Sequence, residues 1–387
     1  MRRKERRRLF LSVVISLVIL GGALVYIYGW GSNENEGAPA ESPGDQAKSD
    51  IAGSPDGAGA ESPDMKQAGG TEAPPVDKSE SGKTDQEQPE EQPDKKPPVP
   101  AVKPPKAGRA LSESEAKSLM QEGLRLIGED KPVEARTALS KAIFSGTLSE
   151  SDAEKARAAC RDLARKTIFS SRHFPGDPYT DTHTFQSGQT LADGRAGGKV
   201  RPGVISLLDL RVPAALIEEV NKIPARRFQA GRSYKVVRGP FHGTVYKDRL
   251  VMDVYLARDG APRTFVRRIP VGLGRNGSTP AGAWLVKAKA GGKGTKATWY
   301  PPPSSGLRGP IYPDHPKYAF GDKGLWIELQ GVDDATRGQD GYGIHSTDDP
   351  ASIGRADSLG CIRLGDDDIE FVFRSFFEGH STVLVKK

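Results

Sequence analysis

From Gly31 to about Gly108 the chain consists of Pro, Gly, Glu, Asp, Lys, Ser and Ala with few aliphatic side chains, and it cannot supply a hydrophobic core. It closes on Lys96-Pro97-Pro98-Val99-Pro100 and Lys103-Pro104-Pro105, which favour polyproline II. As a coil this segment has an end-to-end distance on the order of 50 Å. Any folded domains must therefore come from the residues beyond it. The length of 387 residues leaves room for two or three.

Ahead of this tether, Met1 to Arg8 carries six basic residues against the single acid Glu5, and Leu9 to Trp30 follows without a charge. Such a run is long enough to span a bilayer of roughly 30 Å. It ends in Tyr26, Tyr28 and Trp30 rather than in a small-residue cleavage site, which predicts an uncleaved single-pass anchor in the inner (cell) membrane. The basic flank then stays cytoplasmic, and everything after Trp30 lies in the periplasm or cell-wall space. Residues 1–30 are expected as anchor and residues 31–108 as linker.

The formal net charge of +6 is unevenly divided. The tether is acidic, with eight lysines against sixteen acids between 31 and 106, so the folded remainder is basic and suits an acidic polymer. Two cysteines, Cys160 and Cys361, make no disulfide framework. Cys160 falls on the apolar face of a helical pattern and reads as a core residue.

Residues 109–170 are helical in pattern. Ser112-x-x-Glu115 is a capping box, followed by Leu119, Gly123, Leu124 and Ile127 at helical spacing. Pro132 opens a second helix with Ala135, Leu139, Ala142 and Ile143, and Ser149-x-x-Asp152 a third with Ala156, Cys160, Leu163 and Ala164. The three together resemble one and a half tetratricopeptide-type repeats. In residues 180–238, Thr184 to Leu191 reads as strand, glycine turn and helix start. Leu207, Leu208, Leu216, Ile217 and Val220 are helical, and Phe228 to Val237 is turn and strand. This order resembles a LysM module, which implies glycan binding. Gln189 stands where that family commonly has Asp, and the middle is longer than usual.

From Gly243 the pattern turns to β. Thr244 to Tyr246, Leu250 to Leu256 and Thr264 to Val271 are strand candidates, and a small sandwich or barrel is expected over residues 243–387. The Gly-rich loop Gly272 to Gly282 lacks the Lys-Ser/Thr ending of a phosphate-binding loop. The chemistry concentrates in Gly341-Tyr342-Gly343-Ile344-His345-Ser346-Thr347 and Ser358-Leu359-Gly360-Cys361-Ile362-Arg363-Leu364. A thiol becomes a strong nucleophile only on losing its proton, and a neighbouring imidazole can accept that proton near neutral pH. The N–H of Cys361 and its neighbours can cradle an oxyanion, and Gly360 permits close approach of substrate. The other histidines, His173, His183, His242, His315 and His380, lack metal-ligand spacing and read as surface residues in or beside loops. The run Trp299 to Pro316 reads as a long lid or substrate-rim loop.

These last 145 or so residues resemble the L,D-transpeptidase (YkuD-type) catalytic domain. The residues that carry the likeness are Thr279-Pro280-Ala281-Gly282, Ile344-His345-Ser346, Ser358-x-Gly360-Cys361-Ile362-Arg363 and the closing Gly379 to Val385. The resemblance implies Cys361 as nucleophile and His345 as general base. It further implies Gly360 and Cys361 as oxyanion-hole residues, and Ser358 and Arg363 beside the bound stem peptide. Leu359 departs from the family, which has a second His there, so no imidazole from that position can orient anything in the substrate pocket. The implied partners are peptidoglycan stem peptides and glycan together with the membrane, with no nucleic acid, metal or organic cofactor. The implied reaction passes a tetrapeptide stem through a thioester to an amine. The alternative is a non-catalytic peptidoglycan-binding envelope protein with a degenerate fold.

Overall fold

The computed structural model describes residues 110–189, 191–192 and 205–387, all within one compact unit, Glu91–Lys387. The expected anchor (1–30), the linker (31–108) and the middle of the 180–238 module (193–204) lie outside the described residues. Among the described residues no helix is long and apolar enough to cross a membrane.

Three helices open the described chain: α1 (Glu113–Gly128), α2 (Pro132–Ser145) and α3 (Glu150–Thr167). Their starts follow from local chemistry. The Ser112 hydroxyl accepts the Glu115 N–H while the Glu115 carboxylate accepts the Ser112 N–H, Pro132 sits in the first turn of α2, and Ser149 accepts from the Asp152 N–H. On α1 the apolar stripe runs through Ala116, Met120, Gly123 and Leu126, whereas Leu124 and Ile127 are exposed, against the sequence expectation. Gly123 decides this. A Cβ there would lie 2.6 Å from Cγ of Leu139, so the closest helix–helix approach fixes which side of α1 turns inward.

Next come β1 (Thr180–Thr184), β2 (Leu191–Ala192), β3 (Ile205–Ser206), α4 (Leu207–Leu210), α5 (Ala214–Asn221) and β4 (Ser233–Val237). β1 and β4 pair antiparallel, from Thr180 opposite Val237 to Thr184 opposite Ser233. The expected helix start at Leu191 is instead a short strand paired in parallel with β3. Asn221 holds β4 to α5, accepting the Lys235 N–H and donating to the Lys235 carbonyl.

The remainder is mainly β, as expected: β5 (Phe241–Tyr246), β6 (Val251–Leu256), β7 (Thr264–Pro270), β8 (Leu273–Gly274), β9 (Gly282–Ala290), β10 (Trp326–Gly331), β11 (Gly343–His345), β12 (Ala356–Ser358), β13 (Ile362–Arg363), α6 (Asp366–Ser375) and β14 (Thr382–Lys386). Eight strands form one mixed sheet in the order β13-β11-β10-β9-β14-β5-β6-β7, and β8 and β12 make a small parallel pair. The inner face, with Val245, Val254, Val286, Ile327, Ile344 and Val383, packs on Ile369, Val372 and Phe376 of α6 and its C-terminal end.

That core continues without a break into Ile168, Tyr179, Leu216, Ile217 and Val237 of the preceding segments. The helices cover the edge strand β7: Phe265 packs among Leu139, Ala142 and Cys160, and the buried Ser140 hydroxyl accepts the Phe265 N–H at 3.0 Å. An edge amide that would otherwise be open to a foreign strand is thereby satisfied. Two buried cations join the segments. Arg136 pairs with Asp177 at 2.8 Å, and the Lys235 ammonium donates to the carbonyls of Thr167, Ser170 and Arg172 at the end of α3.

Candidate active site

β11 and β13 lie side by side in parallel, Ile344 against Ile362 and His345 against Arg363, and the Leu364 N–H donates to the His345 carbonyl at 3.0 Å. Ile344 and Ile362 point into the core, so the two-residue period of a strand sends His345, Arg363 and Cys361 to the opposite face. Cys361 immediately precedes β13. Its sulfur lies 3.7 Å from the Gly341 carbonyl and accepts from the Gly343 N–H, which places it against the strand that ends in His345. Gly343 is required there, because a Cβ would lie 2.3 Å from the Trp326 ring.

The imidazole is fixed on several sides. His345 Nδ1 lies 2.5 Å from the Ser346 carbonyl oxygen. A carbonyl only accepts, so Nδ1 carries the proton and Nε2 keeps its lone pair. Phe320 and Trp326 lie against the ring at centroid distances of 4.9 and 5.9 Å. Burial pushes the imidazole down to about 4; the hydrogen bond to Ser346 opposes this and the nearby Arg363 charge adds to it. Burial likewise pushes the Cys361 thiol up to about 11, against the Gly343 N–H and Arg363, which favour the thiolate. At neutral pH the resting pair is a neutral thiol and a neutral imidazole.

The turn that carries Cys361 is held from within and from outside. The buried Ser358 hydroxyl donates to the Cys361 carbonyl at 2.7 Å and accepts the Gly360 N–H at 3.1 Å. From upstream, the Thr279 hydroxyl donates to the Gly360 carbonyl at 2.8 Å and accepts the Gly274 N–H at 2.8 Å. Gly360 has φ 141°, and a Cβ on it would sit 2.8 Å from the Tyr342 ring. Of the two expected oxyanion donors, the Gly360 N–H is thus engaged by Ser358. Arg363 reaches Asp357 at 3.4 Å, and among the described residues its Nε has no partner. Leu359 is half-buried beside these groups.

The expected lid is a strap, residues 291–325, with its own small core of Ala297, Ile311, Tyr318 and Phe320. Trp299 and Ile311 pair through both backbone hydrogen bonds, and Tyr300 and Tyr312 beside them are exposed. Sequence reasoning missed Ser346, Phe320, Trp326 and Tyr342. The signal for Ser346 was its place directly after His345; the aromatics carried none. Of the other histidines, read as surface residues, His315 is exposed, while His173, His183 and His380 are half-buried, and so is His242. It lies within β5, with Nδ1 2.7 Å from the Thr382 hydroxyl and Nε2 3.3 Å from the Ala257 carbonyl. Two cavities, of about 810 and 640 Å³, border α5 with α6 and α2 with the sheet; neither is lined by Cys361 or His345.

The sequence model of the YkuD L,D-transpeptidase catalytic domain matches residues 245–385. No curated protein matches the chain. Similar solved structures include an L,D-transpeptidase from Mycobacterium smegmatis, at 19% identity and TM-score 0.28, with 41% of this chain covering 64% of that one. L,D-transpeptidase 3 from Mycobacterium tuberculosis, in complex with a faropenem-derived adduct, is 17% identical with TM-score 0.28, 41% of this chain covering 65% of that one. An L,D-transpeptidase from Stackebrandtia nassauensis is 13% identical with TM-score 0.24, 71% of this chain covering 92% of that one. The chain thus spans just under two thirds of the two mycobacterial proteins. The matched residues, 245–385, include β11, which ends in His345, and Cys361 directly before β13.

Proposed function

We propose that the chain is a membrane-anchored peptidoglycan L,D-transpeptidase with Cys361 as nucleophile and His345 as base. The observation that carries this reading is the pinned tautomer of His345: Nδ1–H is held by the Ser346 carbonyl, which leaves Nε2 as the lone-pair nitrogen on the face shared with Cys361. In the first half-reaction the thiol proton passes to Nε2 as sulfur bonds to the carbonyl carbon of the third stem residue. The Cys361 N–H is the oxyanion donor. Collapse breaks the C–N bond, the imidazolium returns the proton to the leaving nitrogen, and D-alanine departs, leaving a thioester. In the second half-reaction an amine of another stem or of a protein gives its proton to Nε2, attacks the thioester carbon, and restores the thiol. Water in the amine's place yields a trimmed stem.

Arg363, on the same face, sits beside the stem peptide, with Ser358 shaping the loop that receives it. The run Leu9 to Trp30 anchors the protein, and the tether carries the catalytic domain outward into the wall. Glycan binding by the strand–helix–helix–strand module is the further part of this reading. Because that module shares its core with the catalytic domain, deletion is a poor test. Arg226→Ala with Arg232→Ala, which alter a groove also lined by Tyr234, is a better one: reduced retention on purified sacculi supports glycan binding, and unchanged retention removes it.

The catalytic reading is tested with muropeptide tetrapeptides and the full chain, following D-alanine release by mass spectrometry. Wild type is expected to release it and Cys361→Ala to release none. Equal behaviour of the two would leave the non-catalytic wall-binding reading, which Leu359 favours.

A further inference from the structure

Building on the transpeptidase reading, we propose that the strap is a positioning element for the catalytic base, and that it acts through the Ser346 hydroxyl and the Phe320 ring. Ser346 faces two ways. Its carbonyl accepts the His345 Nδ1–H at 2.5 Å, and its fully buried hydroxyl donates to the Phe320 carbonyl at 2.5 Å and accepts the Leu325 N–H at 3.3 Å. The Ser346 N–H in turn donates to the Leu325 carbonyl at 3.4 Å. One residue on, the strap passes so close that a Cβ on Gly321 would lie 2.3 Å from the Thr347 carbonyl oxygen. The peptide group that fixes the imidazole tautomer is therefore gripped by the return limb of the strap, not by the sheet alone.

The Phe320 side chain makes the second connection. Its ring lies 4.9 Å from the imidazole and stacks on Trp326 at 5.2 Å and 16°, and it belongs to the small core with Tyr318, Ile311 and Ala297. The same core supports the pairing of Trp299 with Ile311, whose neighbours Tyr300 and Tyr312 are 74% and 60% exposed. A shift of the strap moves the acceptor of Nδ1–H and uncovers the ring together. The first change frees the proton to occupy Nε2, and the second admits water and raises the imidazole toward its ordinary value, so that it is protonated over more of the acid range.

The charges around the imidazole do not come from the strap. Arg363 acts on it from β13 and is held by Asp357. The strap's Lys296 pairs with Asp322, and Lys323 with Glu370 of α6. The strap thus acts on His345 by orientation and covering rather than by charge.

The test compares Ser346→Ala, Ser346→Thr and Phe320→Leu in the full chain. It measures kcat and KM for D-alanine release across pH, the NMR titration of the His345 imidazole, and the rate of Cys361 alkylation by iodoacetamide. Ser346→Ala is expected to lower kcat about tenfold or more with KM within about twofold, and Ser346→Thr to restore most of it. Phe320→Leu is expected to move the acid limb and the imidazole midpoint upward by about one pH unit. Ser346→Ala with wild-type kcat, Ser346→Thr losing as much as Ala, or Phe320→Leu with a wild-type midpoint would each overturn the proposal. If Ser346→Ala does not fold, the other two variants decide. If wild type releases no D-alanine, the transpeptidase reading fails, while the titration and the alkylation rate still judge the positioning role.

Discussion

The Thr279 hydroxyl donates to the carbonyl of Gly360, the residue directly before Cys361, at 2.8 Å, and both residues are buried. A loop far upstream thus sets the geometry of the turn that carries Cys361. Thr279→Val keeps the shape but leaves the Gly274 N–H and the Gly360 carbonyl without this partner. Each loss costs about 1–3 kcal/mol when the group stays dry. Urea unfolding should show a drop of that order, and D-alanine release should fall by about tenfold or more. Full activity would show that the turn holds itself.

On the proposed mechanism His345 must be neutral to accept the thiol proton, and its folded value of about 4 lies below the ordinary 6.5. Activity is therefore lost only as pH falls through about 4. The kcat/KM profile should stay flat from about pH 5 to neutrality. An acid limb near the unperturbed histidine value would contradict this.

His242 couples β5 to β14 through Thr382, and burial also lowers its imidazole to about 4. The unfolded chain then binds a proton that the folded chain refuses, so stability contributed by neutral His242 is lost as pH falls from about 6.5 toward 4. The slope approaches about 1.4 kcal/mol per pH unit for this group. Chemical unfolding at pH 7 and pH 5 should show a smaller difference for His242→Gln than for wild type. An identical difference would remove His242 as the source.

Arg136 and Asp177 are both buried, with Arg136 also donating to the Thr167 hydroxyl. Asp177→Ala strands the guanidinium in the interior, and a loss of about 3–5 kcal/mol is expected in urea unfolding. The double variant Arg136→Met with Asp177→Ala should recover part of it. A single-variant loss under about 1 kcal/mol would mean that water reaches the pair.

What could be read in the chain was local. Ser112 with Glu115, Pro132 and Ser149 with Asp152 mark helix starts by chemistry confined to one turn, and each start lies where that chemistry puts it. Strands β5, β6 and β7 follow from runs of β-formers between turn residues. Cys361 and His345 stood out because their neighbours form a phrase. The failures are long-range. Nothing near Leu124 or Ile127 told which side of α1 would meet Leu139, and nothing near Lys235 pointed to the carbonyls at the end of α3. Thr279 was visible as part of a motif, but its partner Gly360 was not. Ser346 serves through a backbone carbonyl, a group that every residue possesses and that no composition betrays. His242 misled because a histidine between a proline-bounded turn and a strand looks the same whether or not the sheet later closes over it.

Whether Cys361 carries the stem as a thioester is read from intact-protein mass spectrometry after brief incubation with a tetrapeptide stem. The expected result is a mass gain equal to the stem less its terminal D-alanine, located on Cys361 by peptide mapping and absent in Cys361→Ala. Turnover with no adduct on Cys361, or an adduct that persists in Cys361→Ala, would contradict it.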